Sequence, residues 1–308
     1  MRELHAYIDG GHVGVFTMNA GGSITFEYDD DRGSRATPIS LSMRPSRPRH
    51  GNAQATAWLD GLLPDRESAR DAIGAEYRVS ARSPFRLLEH VGRDIAGAVQ
   101  LIPRGETPDD DPARAPSGVR ADGEAIAQAL RSVKAIYETG APPQGDHVRL
   151  SLAGAQPKIA LGRDRSGWYF PGRYTASTYI IKPEVDVNEH IDSIDVAERL
   201  TMLAAERLGL DVARSEGWVS PDGDLRALVL ERYDREVDDS SRIRRLPRGH
   251  ASGAWAADLE EVPGQGPWSR CPADLAAHPR SSGGANRTEA DRRGVLPRAR
   301  VQHRGARH

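Results

Sequence analysis

Apolar and polar residues alternate in three short runs at the start of the chain. Leu4, Ala6 and Ile8 form the first, Gly10-Gly11 turns the chain, Val13 and Val15 form the second, and Ile24-Thr25-Phe26-Glu27-Tyr28 forms the third. A period of two broken by glycine turns predicts a small antiparallel sheet. The period then lengthens. Residues 53–62 read as a helix with Pro64 marking its end, and residues 65–75 read as a second. Ser83-Pro84-Phe85 opens a third through Leu87, Leu88 and Val91, with proline in the first turn, where its missing N–H costs nothing. Residues 103–117 are polar, with Asp109-Asp110-Asp111 between prolines, and read as a solvated linker rather than a metal site. Residues 125–138 return to a helix, with Ile126, Leu130, Val133 and Tyr137 on one face.

The stretch from 147 to 182 reads HVRLSLAGAQPKIALGRDRSGWYFPGRYTASTYIIK. Val148, Leu150 and Leu152 alternate with Arg149 and Ser151. Ala153, Gly154, Ala155 and Gln156 then turn the chain into Lys158-Ile159-Ala160-Leu161. This predicts strand, tight turn and strand. A turn of glycine and alanine lets backbone N–H groups approach phosphate oxygens, and Lys158 adds a positive charge at the same end. Taken alone, the same turn also reads as a plain hairpin. Thr178-Tyr179-Ile180-Ile181-Lys182 is a β-rich run halted by Pro183. Ile194, Ala197, Leu200, Leu203, Ala204 and Leu208 then recur at spacings of three and four, which predicts a helix capped by Asp192 or Ser193 and stopped by Gly209. Glu198 falls at the edge of that stripe, able to reach the strand that carries Lys182. Strands at 216–220 and 225–231 flank the turn Pro221-Asp222-Gly223-Asp224. This is the order of elements in a kinase N-lobe, where a strand lysine paired with a helix glutamate positions ATP phosphate.

Several motifs give the order a family. SLAGAQPK at 151–158, IIKPE at 180–184, LERYDR at 230–235, WLDGLLPD at 58–65 and LLEHVGRDIAGAVQL at 87–101 together resemble the HipA family of toxin serine/threonine kinases, over residues 1 to about 246. The resemblance implies an α+β fold: a HipA-like N-terminal subdomain at 1–108, a linker and helix at 109–146, and a protein-kinase-like N-lobe of antiparallel sheet with a helix at 147–246. It implies phosphorylation of glutamyl-tRNA synthetase or a related translation protein, with ATP and Mg²⁺ as cofactors. The implied partner is a DNA-binding HipB-like antitoxin, facing the N-terminal subdomain, so that DNA is met only through the antitoxin. Ala153, Gly154, Ala155, Gln156 and Lys158 would cradle the phosphates, and Lys182 would hold the α and β phosphates. Glu231 and Tyr233 would meet adenine through the linker backbone. Ser151 matches the family's autophosphorylated serine, where a phosphate would oppose ATP binding by its charge.

Composition adds few constraints. The 308 residues suit two domains, 38% hydrophobic content suffices for a core, and a net charge of −2 demands neither nucleic acid nor an anionic membrane. Cys271 is the single cysteine, which excludes an internal disulfide. The N-terminus has no apolar signal core and no run is long enough to span a membrane, so a cytoplasmic protein is expected.

The C-terminal part departs from the kinase pattern. Phosphoryl transfer needs an aspartate to accept the substrate proton, an asparagine shortly after it and a second aspartate for Mg²⁺. After Arg245 the sole asparagine is Asn286, with no aspartate five residues before it. No catalytic residue or metal ligand is recognised. Residues 247–308 contain no Ile, Phe, Tyr, Met or Lys and are expected to be largely disordered. With 39 arginines against three lysines, the chain reads as the product of a GC-rich gene whose frame shifts near Leu246, removing the catalytic lobe. The alternatives are a basic arm for phosphate backbones built on Arg292, Arg293, Arg298, Arg300, Arg304 and Arg307, and a non-catalytic module that binds antitoxin.

Overall fold

The computed structural model describes residues 1–30, 37–108, 117–142, 152–185, 193–238 and 243–246. The chain divides into two units, Met1–Leu259 and Glu260–His308, and every described residue lies in the first. The architecture is α+β, built on two antiparallel sheets. The tail at 247–308 and the linker at 109–116 lie outside the described residues.

The first sheet contains β1 (Arg2–Ile8), β2 (Gly11–Met18), β3 (Ile24–Tyr28), β4 (Arg49–His50) and β5 (Val99–Pro103), in the order β4-β3-β2-β1-β5. The alternation at its start points Leu4, Ala6 and Ile8 inward. Phe16 and Phe26 face each other across β2 and β3, with ring centroids 4.4 Å apart, and Trp58 of α1 (Asn52–Asp60) stacks on Phe16 at 5.2 Å. Two helices complete this layer. They are α2 (Glu67–Tyr77) and α3 (Pro84–Val91), the latter capped by the Ser83 side chain, which accepts from the Arg86 N–H.

The second sheet contains β6 (Gly118–Arg120), β7 (Ile159–Asp164), β8 (Gly167–Pro171), β9 (Tyr179–Pro183), β10 (Ser215–Val219) and β11 (Arg226–Glu231). Their order is β10-β11-β9-β7-β8-β6. Helix α4 (Gly123–Thr139) buries Ile126, Leu130, Val133, Ile136 and Tyr137, and packs on α2 as well as on β7 and β9. It therefore joins the two sheets into one core, in which Phe16 and Leu59 are continuous with Ile159, Ile181 and Val229. A short ribbon, β12 (Arg235–Val237) with β13 (Ile243–Arg245), follows β11.

Three details differ from the sequence pattern. The strand expected at 148–152 falls mostly on residues 143–151, outside the described set. Strands β4, β5, β6, β8, β12 and β13 were not expected, although Trp168-Tyr169-Phe170 of β8, after a glycine turn, carries a strand signal. The third difference concerns α5 (Ile194–Arg207). Its Schellman stop follows the pattern, with Leu210 N–H donating to Ala205 O and Gly209 N–H to Glu206 O at a Gly209 φ of 82°. Its apolar stripe does so only in part: Ile194 and Leu203 are half-buried, whereas Ala197, Leu200, Ala204 and Leu208 are exposed, Leu200 by 61% and Leu208 by 80%. Asp195, Glu198, Met202 and Ala205 are half-covered together with Ile194 and Leu203. An ion pair from Glu198 to the sheet, described next, holds that side inward. Ser193 starts the helix at φ 55° with no side-chain cap, its hydroxyl accepting instead from Arg226. Asp192, the other expected cap, is not among the described residues.

Candidate functional site

Strand alternation places two lysines on one face of the second sheet. Ile159 of β7 pairs with Ile181 of β9, and both side chains enter the core beneath. Lys158 and Lys182, one residue along each strand in opposite directions, therefore lie opposite one another on the other face. Lys182 Nζ donates to Glu198 Oε1 at 2.5 Å, so the strand lysine and the α5 glutamate are brought together. Lys158 Nζ donates to Ala153 O at 2.8 Å, folding back over the turn that precedes it.

This arrangement concentrates positive charge. Burial lowers the Lys158 ammonium to about 8, neighbouring Lys182 adds to the effect, and Asp65 and Glu198 oppose it. The charged form is disfavoured in the folded chain, so folding is penalised below pH 8 and relieved as pH rises from 8 toward the unfolded value. A phosphate between the lysines would reverse that penalty, since it supplies negative charge to both.

The turn itself depends on glycine. Gly154 sits at φ 115°, and a Cβ there would lie 2.7 Å from Lys158 Nζ. Gly154→Ala is expected to destabilise the chain by about 1–3 kcal/mol through its backbone conformation, as read by urea denaturation; an unchanged midpoint would show that the turn tolerates a side chain. Gly154 also forms a parallel bridge with Pro64, and Asp65 N–H donates to Gly154 O at 3.3 Å. Ala155 is exposed, whereas Ala153 and Gln156 are half-buried.

The segment after β11 has two distinct sides. Glu231 N–H donates to Arg214 O and Arg232 N–H to Thr178 O, each at 2.9 Å, whereas Tyr233 N–H has no backbone acceptor among the described residues. Tyr233 is 53% exposed. Arg232, Asp234 and Arg235 turn inward, to partners sequence reading did not assign. Arg232 donates in bidentate fashion to Asp234, at 3.0 and 2.8 Å, and Arg235 donates to Asp94 at 3.0 Å. Asp94 also accepts from Ser177 N–H at 3.0 Å, and Asp234 accepts from Gly97 N–H at 2.7 Å. Both arginine side chains are 1% exposed. Burial alone would push the Asp94 carboxyl up; Arg232, Arg235 and Arg245 outweigh it and hold Asp94 well below the usual carboxylate range. Burial and the neighbouring Arg232 bring Arg235 down to about 10. The network ties GRDIAG of the first layer to ERYDR of the second. Both segments stand among the sequence motifs, but nothing in either pairs it with the other.

Ser151 lies outside the described residues, so its relation to the turn is not defined. Among the described residues no three His, Cys, Asp or Glu side chains group closely enough to hold a metal ion. Two ammonium groups beside a turn of small residues are of a kind that suits phosphate oxygens.

Comparison with known proteins agrees with this architecture. The family model described as the HipA N-terminal domain matches residues 4–102, and the HipA-like C-terminal domain matches residues 150–270. The second match runs past Leu246, where sequence reading ended the resemblance. The Y4mE protein of Sinorhizobium fredii, provisionally named a kinase, is 31% identical over 253 residues, covering 80% of this chain and 57% of Y4mE. The serine/threonine-protein kinase toxin HipA of Shewanella oneidensis is 28% identical over 222 residues, covering 71% and 47%. A solved structure from Shewanella oneidensis MR-1, described as the toxin-antitoxin system HipA, HipB and operator DNA complex, superposes with a TM-score of 0.60 at 25% identity, covering 79% of this chain and 53% of that one. The chain spans about half the length of the curated relatives it matches. With both HipA domain models matched in order along one chain, and a HipA fold recovered in three dimensions, the protein belongs to the HipA family.

Proposed function

We propose that this chain is the nucleotide-holding part of a HipA-type serine/threonine kinase toxin, one that binds ATP without transferring phosphate by itself. The observation that carries the reading is the pair Lys158 and Lys182 on one sheet face, with Glu198 bonded to Lys182 and the Gly154 turn at the end of the pair. Two ammonium groups and a turn without bulky side chains suit a polyphosphate, and the Lys182–Glu198 pair is the arrangement with which kinases align one. Tyr233 N–H, which has no backbone acceptor among the described residues, is the donor for adenine. Mg²⁺ would arrive with the nucleotide.

The absence of an Asp-x-x-x-x-Asn pattern after Arg245 supports the inactive reading, and a frame change upstream of that pattern is our account of it. The family's substrate, a translation protein such as glutamyl-tRNA synthetase, would then not be phosphorylated by this chain. Likeness to a structure containing HipA and HipB favours a HipB-like antitoxin as partner, held by the first sheet and its helices. No helix of the described residues is long and apolar enough to cross a membrane, and a cytoplasmic site of action fits these partners. Calorimetry with ATP and Mg²⁺, followed by incubation with γ-labelled ATP, tests both parts. Binding without labelling is expected; no binding would reject the nucleotide site, and labelled protein would reject inactivity.

A further inference from the structure

Residues 232–235 form a four-residue turn, closed by Arg235 N–H donating to Arg232 O at 3.1 Å. Such a turn leaves the N–H of its second residue, here Tyr233, outside its own bond as a matter of course. What a turn does not require is the apparatus beneath this one. Arg232 Nη1 donates to Ser177 Oγ at 2.8 Å and Nη2 to Ile95 O at 3.0 Å, beside its bonds to Asp94 and Asp234. Arg235 donates to Gly97 O at 2.9 Å and to Ile95 O at 3.0 Å. Asp234 accepts from Gly97 N–H through its carboxylate and from Leu246 N–H, at 2.9 Å, through its carbonyl. Of residues 232–235, Tyr233 alone is exposed; the residues on either side of it face inward.

A buried ion network is weak evidence for stability, because its charges all lose their water to form it; what it can fix is geometry. We propose that Asp94 and Ser177 are positioning residues for the base of the nucleotide, holding Tyr233 N–H, through Arg232 and Asp234, at the place and angle from which it donates to adenine. The proposal rests on the nucleotide reading above and extends it from the phosphates to the base. Ser177 joins the two sets of contacts: its N–H donates to Asp94 and its hydroxyl accepts from Arg232. Asp94, Ile95 and Gly97 lie between α3 and β5, outside the sheet of β7 and β9. The base-binding turn is therefore laid on the first layer, while the lysines belong to the second. Asp94 and Ser177 are both buried, so they act through the turn and not on the ligand.

ATP and inorganic tripolyphosphate, each with Mg²⁺, are titrated calorimetrically into the full chain. Tripolyphosphate reports the lysine end alone, so the ratio of the two affinities reports the base. A general loss of stability leaves that ratio untouched, because both ligands need the folded chain and an unfolded fraction weakens both by the same factor. Ser177→Ala and Asp94→Asn are each expected to lower the preference for ATP over tripolyphosphate by at least about threefold, as a misplaced hydrogen-bond donor would. Val13→Ala on β2, a core truncation outside the network, should leave the preference unchanged. A preference that survives in both network variants overturns the proposal, as does an equal fall in Val13→Ala. Spectra of the ¹⁵N-tyrosine-labelled chain without ligand give a second reading. The Tyr233 amide line, identified by its loss in Tyr233→Phe, is expected to move in Ser177→Ala and Asp94→Asn and to stay in Val13→Ala; a line that stays in all three overturns the proposal. Should the unaltered chain bind neither ligand, the nucleotide reading fails, while the amide line still decides whether Asp94 and Ser177 hold the turn.

Discussion

Asp94→Ala should lower the stability of the chain by about 3–5 kcal/mol, the cost of leaving buried guanidinium groups without their anion. Asp94 accepts from Arg235 at 3.0 Å, from Ser177 N–H at 3.0 Å and from Arg232 at 3.4 Å, inside a network whose arginines are 1% exposed. Removing the carboxylate leaves Arg232 and Arg235 sharing Asp234 among the described residues, too little negative charge for two buried cations. Asp94→Asn, which keeps an acceptor for Ser177 N–H, should lose less. Urea denaturation checks both; a change under about 1 kcal/mol for Asp94→Ala would show that water reaches the arginines. The same network sets an acid limit. The Asp94 and Asp234 carboxyls are held below their unfolded values, so their stabilisation is complete above about pH 4 and is lost as pH falls through the depressed folded values. Stability measured downward from pH 6 should decline below about 4 in the unaltered chain and less steeply in Asp94→Asn.

Lys182→Ala should reduce ATP affinity by about ten- to a hundredfold, the effect of one charge-assisted bond to phosphate worth about 1.5–3 kcal/mol. Its effect on stability should be small, about 0–1 kcal/mol, because the pair with Glu198 is partly open to water. That contrast separates a ligand-binding lysine from a structural one. Lys182→Arg should not restore full affinity, since a planar fork cannot occupy the place of a compact ammonium bonded to Glu198 at 2.5 Å. Glu198→Ala should weaken binding less than Lys182→Ala, because it loosens the lysine without removing its charge. Calorimetric titration decides; equal affinity in Lys182→Ala would move the phosphate site away from this face.

Local periodicity sufficed wherever partners are near in the chain. The alternation at Leu4, Ala6 and Ile8 specified β1 because one face must be buried, and Ile126, Leu130, Val133 and Tyr137 specified α4 for the same reason at helical spacing. The turn glycines Gly154 and Gly209 were legible, since each occupies a conformation that side chains disfavour. Lys182 and Glu198, 16 residues apart, could be paired in advance because a strand end followed by a helix leaves few geometries for them.

Only the assembled tertiary structure decided the rest. Asp94 and Arg232 are 138 residues apart, and nothing in either segment announces that its charges will be buried together; hydropathy would put both in water. The orientation of α5 was legible only in part: Glu198 meets Lys182 as its place at the edge of the stripe suggests, but of the stripe itself only Ile194 and Leu203 are half-buried, and Ala197, Leu200, Ala204 and Leu208 face outward. The contact of Pro64 and Asp65 with Gly154 likewise has no local signature. A strand or helix is set by interactions within a few residues, and these leave a period in the chain. Which charged groups meet, and which helix face turns inward, depends on segments brought together only when both layers close on α4, and such meetings leave no period to read.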